Sequence, residues 1–226
     1  MNLPQSLPIK VPKLSSLTNF SKIKSNLKQV YDGLAPVWGI DIAKPVWGLD
    51  ELAKFVSLVK RSGGRKVLDL GCGSGIQSKQ LVDAGLEVVG LDLSPEMISQ
   101  AKKRVPEAKL TVGDMTKMDF SNESFDGVFA QASLLHIPKK LIPKVLKSIH
   151  KILKTNGVLY LALKEGTGEK VVEEERLGVV VKRFFSFFTK AEIEGYLKNA
   201  KFQVLKVRRF LDKSPTIWLC VFAKKI

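Results

Sequence analysis

The chain has 226 residues, with 37 Lys and Arg against 22 Asp and Glu, and a formal charge of +15. A hydrophobic fraction of 45% with 26% charged residues excludes wholesale disorder. No apolar run approaches the roughly 20 residues of a membrane-spanning helix. Two cysteines, Cys72 and Cys220, exclude a disulfide framework and a four-thiolate zinc site, and nothing else calls for a metal. The first residues lack a compact apolar core after a basic start, so they do not read as a secretion signal, and a cytoplasmic location is expected.

The positive charge is distributed. The basic surplus is five over residues 1–64, four over 65–165 and six over 166–226. Such a field attracts anions without specifying a partner. The one local concentration is Lys139–Lys154, with six lysines and no acid. Lys140, Lys144, Lys147, Lys151 and Lys154 fall on one helical face opposite Leu141, Val145, Ile149 and Ile152. A solvated outer face explains this pattern. An RNA-backbone or anionic membrane contact stays open, although the polar face has no Arg, aromatic or amide group to orient a nucleic acid.

Residues 1–19, rich in Pro, Ser and Asn, read as a flexible arm. Residues 20–64 read as an N-terminal helical cover broken at Pro36, Gly39, Pro45 and Gly48, with Trp38 and Trp47 as anchors. Its last helix, over about Asp50–Arg61, carries the stripe Leu52, Phe55, Val56 and Val59. From residue 65 the pattern alternates strand and helix: strand 66–70, helix 77–84, strand 87–91, a helix from Ser94-Pro95 to about Arg104, and strand 108–112. Strand 125–131, a helix over about 138–153 and strand 157–163 follow. Residues 164–188 read as an insertion. Thr189 and Glu192 form a capping box for a helix over about 190–199, and the tail reads as two strands joined at Asp212–Pro215. Alternating elements with short connections predict a doubly wound α/β sheet with helices on both faces over residues 65–226.

The segment KVLDLGCGSG, residues 66–75, runs a buried strand through Asp69 into Gly71, Gly73 and Gly75. Glycines there let backbone turn tightly and approach a ligand. The spacing matches neither Gly-x-Gly-x-x-Gly nor a P-loop. Asp92 ends the second strand, 21 residues after Gly71, where a carboxylate can accept from both ribose hydroxyls. Asp114 follows the third strand, placed to accept from an adenine amino group, with Leu93 and Met115 offering apolar contact to the ring. Acids at three consecutive strand ends form the informative constellation.

VLDLGCGSG, VVGLDLSPEMISQAKK, VGDMTKMDF and FDGVFAQASLLHI resemble the class I S-adenosylmethionine-dependent methyltransferases, in the branch of small enzymes that act on metabolites, quinone precursors or lipids. The resemblance implies a seven-stranded, mostly parallel sheet whose last strand is antiparallel. It also implies a cofactor site: Asp69 and the Gly71-Cys72-Gly73…Gly75 loop beneath the methionine part, Asp92 on ribose with Leu93 and Met97 nearby, and Asp114 with Met115 at adenine. Gln131 and Ala132 would face the cofactor from the fourth strand. Tyr31, in VYDGLAPVW, resembles the segment that folds over the cofactor, with helix packing as the alternative.

The chain lacks the Asn/Asp/Ser-Pro-Pro-Tyr/Phe stretch of amino-directed nucleobase enzymes and the Pro-Cys of cytosine-C5 enzymes. The resemblance implies a small, partly apolar or aromatic acceptor methylated by in-line displacement. Methylation of RNA or protein, aminopropyl transfer, or a catalytically idle subunit remain alternatives. His136, beyond the fourth strand, is the candidate general base, with cleft packing as the alternative. Phe184, Phe185, Phe187 and Phe188 would wall the acceptor, seal a lid or mediate a dimer, and Lys182 and Arg183 are candidates to receive a carboxylate or phosphate. Monomer and homodimer are equally compatible with the sequence.

Overall fold

A computed structural model describes residues 19–38, 48–176, 178–211 and 216–226. Trp47, the arm before Asn19 and the turn at Asp212–Pro215 lie outside the described residues.

The chain opens with α1 (Phe20–Leu34) and α2 (Leu49–Arg61), followed by β1 (Lys66–Leu70), α3 (Ile76–Asp83), β2 (Glu87–Asp92), α4 (Pro95–Arg104) and β3 (Lys109–Val112). The next elements are β4 (Phe125–Gln131), α5 (Ile142–Ile152), β5 (Leu153–Lys164), β6 (Glu169–Arg176) and β7 (Val179–Ser186). Last come α6 (Lys190–Asn199), β8 (Phe202–Leu211) and β9 (Ile217–Lys225). Seven strands form one sheet in the order β3-β2-β1-β4-β5-β9-β8. The pairings from β3 to β5 are parallel, and β9 is antiparallel to both neighbours, β5 and β8. Strand order reverses direction between β1 and β4, which opens a crevice beyond their C-terminal ends.

Burial explains why the central strands read as continuous apolar runs. Val67, Leu68 and Leu70 of β1, Val128–Ala130 of β4 and Leu159–Ala162 of β5 are all buried, as a parallel sheet covered on both faces requires. Phe129 stacks on Tyr160 at 4.7 Å and meets Phe55 of α2 edge-on at 5.2 Å. Local sequence sets the helix starts. Ser94 accepts from the Met97 amide with Pro95 in the first turn, and Thr189 and Glu192 complete their reciprocal capping box.

Three elements differ from the sequence reading. The lysine-rich helix is shorter, a turn at Lys139–Leu141 followed by α5, because Pro143 fits only the first turn. Strand β5 is longer and starts at Leu153. Residues 164–188, expected as a connection, contain the last residue of β5 and a regular hairpin: β6 and β7 pair antiparallel from Glu169–Ser186 to Arg176–Val179 as a separate two-stranded sheet. Single-strand periodicity misses this hairpin because both of its faces carry mixed residues: charges pair across it while Val181, Phe184 and Phe185 are buried beneath. Helix α1 ends at Leu34, short of the expected break at Pro36, and packs against β7 and α4.

Candidate active site

A cavity of about 320 Å³ lies beyond the C-terminal ends of β1, β2 and β4, roofed by α1 and the end of β6. Its floor is the loop after β1. Gly71 has φ +80°, and a Cβ there would meet the Ser133 Cβ at 2.3 Å. This is the close approach that demands glycine. Gly73 has φ +52°, and a Cβ there would meet nothing within 4 Å. The loop therefore opens onto free space on one side and is packed solid on the other. Arg104 of α4 holds it by donating to the Ser74 hydroxyl at 2.8 Å and to the Ser74 carbonyl. Gly75 has a packing role, since a Cβ there would meet the Ala101 Cβ of α4 at 3.0 Å.

The three strand-end acids occupy different environments. Asp69 is buried and does not line the cavity; the Ser78 hydroxyl donates to it at 2.6 Å. Burial raises its pKa to about 7 despite that hydrogen bond. Asp92 lines the cavity and accepts from the Gly73 and Ser94 amides at 2.8 and 2.9 Å, which ties the glycine loop to the start of α4. Burial raises its pKa, with the backbone donors opposing. Asp114 accepts from the Thr116 amide and hydroxyl on one oxygen and from Lys24 Nζ at 2.6 Å on the other. Burial pushes its pKa up, but Lys24 and Thr116 outweigh that and hold it below the usual range.

Leu93, Met97, Met115, Gln131, Ala132 and Cys72 also line the cavity. The Cys72 thiol is pushed well up by burial and the neighbouring Asp69 and Asp92, which keeps it protonated. Ala132 sits at φ +54°, an unfavourable conformation for a residue with a Cβ, where β4 turns into the cavity wall.

At the far end, Tyr31 and His136 meet across the cavity. The Phe184 carbonyl lies 2.7 Å from His136 Nδ1, and a carbonyl only accepts, so Nδ1 carries the proton. Nε2 is then the acceptor for the Tyr31 hydroxyl at 2.8 Å. Arg183 Nη1 donates to the same hydroxyl at 2.6 Å, while its Nε and Nη2 donate to Glu174. Burial first, then Arg183, lowers the His136 pKa to about 3. Both ring nitrogens of this candidate base thus have partners in this arrangement. Lys182 and Arg183 are likewise engaged, with Glu173 at 2.8 Å and Glu174 at 2.5 Å. Three contacts that join α1 to the domain escape sequence reading altogether: Lys24 to Asp114, Asp32 to the Ser94 hydroxyl at 2.6 Å, and Tyr31 to Arg183. Each couples residues more than 60 positions apart, and no local pattern encodes that.

A doubly wound sheet with a glycine loop at its switch point and acids at the ends of β1, β2 and β3 defines an α/β enzyme of the nucleoside-cofactor type. Comparison with known proteins makes this specific. Residues 67–157 match a methyltransferase domain family model. The chain is 34% identical over 197 residues to the ubiquinone biosynthesis O-methyltransferase of Actinobacillus pleuropneumoniae, covering 78% of this chain and 83% of that one. It is 30% identical over 153 residues to the demethylmenaquinone methyltransferase of Renibacterium salmoninarum, a match that spans 62% of that relative's length. In fold it resembles the 1,6-didemethyltoxoflavin-N1-methyltransferase of Burkholderia thailandensis, with a TM-score of 0.69 at 21% identity over 96% of this chain and 93% of that one. The chain belongs to the class I S-adenosylmethionine-dependent methyltransferases.

The residues present fit that family's cofactor, S-adenosylmethionine. The open face of Gly73 leaves room for it. A carboxylate accepts up to about four hydrogen bonds, so Asp92 keeps acceptor capacity beyond its backbone donors.

Proposed function

We propose that this chain methylates a small, partly apolar or aromatic acceptor by direct in-line displacement, with a hydroxylated, quinone-type ring as the leading candidate. The observation that carries the reading is one cavity lined both by the acids Asp92 and Asp114 and by the aromatic side chains of Phe20, Tyr31 and Trp38. The two quinone-pathway relatives support the acceptor class. When bound, S-adenosylmethionine supplies a methyl group already activated on a sulfonium. Asp92 would hold the ribose hydroxyls, Asp114 the adenine amino group, and Met97, Leu93 and Met115 the apolar faces of the nucleoside. Gln131 and Ala132 would face the reacting centre, and Asp69 would support the loop from behind. Tyr31, fixed between Arg183 and His136, closes α1 over the cavity and excludes water. His136 is assigned a positioning role in this scheme. Its protonated Nδ1 and the Phe184 carbonyl fix the ring that orients Tyr31.

Calorimetric binding of S-adenosylmethionine, followed by formation of S-adenosylhomocysteine with a panel of catechols and quinols, tests this reading. Micromolar binding with turnover on at least one ring is expected, and no binding at high micromolar concentration overturns it. Replacement of the exposed Lys144, Lys147 and Lys151 should leave turnover unchanged, because none of them lines the cavity.

A further inference from the structure

The cations around the aromatic end are almost all engaged. Lys182 and Arg183 have glutamates, Lys164 Nζ sits 3.9 Å from the Phe185 ring centroid, and Lys170 Nζ sits 5.0 Å from that of Phe187. Arg176 is different. It ends β6 at the tip of the hairpin, is exposed, and lines the cavity rim. Its guanidinium stands 5.4 Å from the Trp38 ring centroid, and Trp38 in turn meets Tyr31 edge-on at 5.6 Å. Among the described residues, no carboxylate oxygen lies within 4.0 Å of it. A guanidinium held by a ring face rather than by a carboxylate can still make planar, two-point contact with a carboxylate or phosphate. The contact with Trp38 restricts its side chain, so less freedom is lost on binding.

We infer that Arg176 is a specificity-determining residue: the acceptor carries an anionic substituent, carboxylate or phosphate, that seats on Arg176 while its ring packs against Trp38 and Tyr31. The surrounding charge favours this. Arg183 and Lys164 add positive potential at the same end, against Glu174, which Arg183 already holds. The inference rests on the methyltransferase reading above, whose acceptor it defines further.

The test uses the full chain saturated with S-adenosylhomocysteine and three ligands that share one ring system: 2-naphthoate, 2-naphthyl phosphate and 2-naphthamide. Isothermal titration should show at least one anion binding about tenfold more tightly than the neutral amide, as expected for a charge-assisted hydrogen-bonded pair. Whichever anion binds better identifies carboxylate or phosphate as the fitting group. In Arg176→Ala the advantage should collapse, and in Arg176→Lys it should return in part. The affinity for S-adenosylhomocysteine should stay the same in all three proteins. Equal binding of anion and amide by the wild type overturns the inference, and so does an advantage that persists in Arg176→Ala. If S-adenosylhomocysteine itself fails to bind, the methyltransferase reading falls. The same titrations into the free chain then still decide whether Arg176 selects an anion.

Discussion

The two ends of the cavity are built by different means. At the cofactor end, the acids come from strand ends or the turns that follow them, and backbone amides hold them: Asp92 accepts from the Gly73 and Ser94 amides and Asp114 from the Thr116 amide, with Lys24 of α1 as its one distant side-chain partner. At the aromatic end, side chains from α1, β6, β7 and the turn after β4 satisfy one another through Glu174, Arg183, Tyr31 and His136. Backbone-held groups are positioned by the sheet itself. Groups held by side chains depend on the docking of α1 and of a hairpin outside the main sheet. The first end is suited to a constant ligand and the second to one that differs among relatives, because hairpins and loops can be changed without disturbing the sheet.

Four substitutions probe this contrast. The largest effect is expected at Asp69, whose pKa of about 7 stands well above its ordinary value of 3.8. The folded state therefore binds more protons than the unfolded state between those limits. Its contribution to stability is unimpaired below about pH 4, falls as pH rises, and is fully lost above about pH 7. Asp69→Asn keeps an acceptor for Ser78 and removes the buried charge. Relative to the wild type, the variant should gain on the order of a few kcal/mol between pH 5 and pH 8 in urea unfolding. Parallel pH profiles would show that Asp69 is not a buried titrating group.

Asp92→Ala should weaken S-adenosylhomocysteine binding by about 2–3 kcal/mol, through lost charge-assisted bonds to ribose and a loosened Gly73 amide. Affinity for the naphthyl ligands should hardly change. A comparable loss at both ends would mean that the two halves of the cavity form a single unit.

Tyr31→Phe leaves Arg183 Nη1 and His136 Nε2 without their shared hydroxyl and should cost about 1–2 kcal/mol of stability in urea unfolding. The acceptor KM should rise, while the dissociation constant of S-adenosylhomocysteine should move less than about twofold. A shift confined to the cofactor constant would move Tyr31 to the other half of the site. The smallest effect belongs to Lys24→Met. The Lys24–Asp114 pair is partly exposed, so its removal should cost less than about 1 kcal/mol. With the Asp114 oxygen released, nucleoside affinity should hold or rise slightly in calorimetry. A large loss would show that Lys24 itself binds the ligand.

Much of the cofactor end was legible in the sequence. Asp92 and Asp114 are recognisable because strand, acid and helix cap are contiguous in LDLSP and VGDM, and their positions in the chain fix their positions at the sheet edge. Lys24 was not legible, since nothing near it in the chain indicates that α1 would carry it 90 residues away to Asp114. The place of His136 at the sheet edge is legible, but its surroundings are not. Its weak basicity comes from burial and from Arg183, which arrives on a hairpin 47 positions later. The same hairpin pairs Lys182 with Glu173 and Arg183 with Glu174 across its two strands, and leaves Arg176 at the rim.

The sequence by itself determined the order of strands and helices, the glycine loop and the acids at the ends of β2 and β3. Each depends on contiguous residues whose spacing, capping and apolar runs act locally. Only the tertiary structure decided which charges are satisfied and which remain open to a ligand. That outcome turns on desolvation and on partners within about 4 Å, and both are set by how distant segments pack.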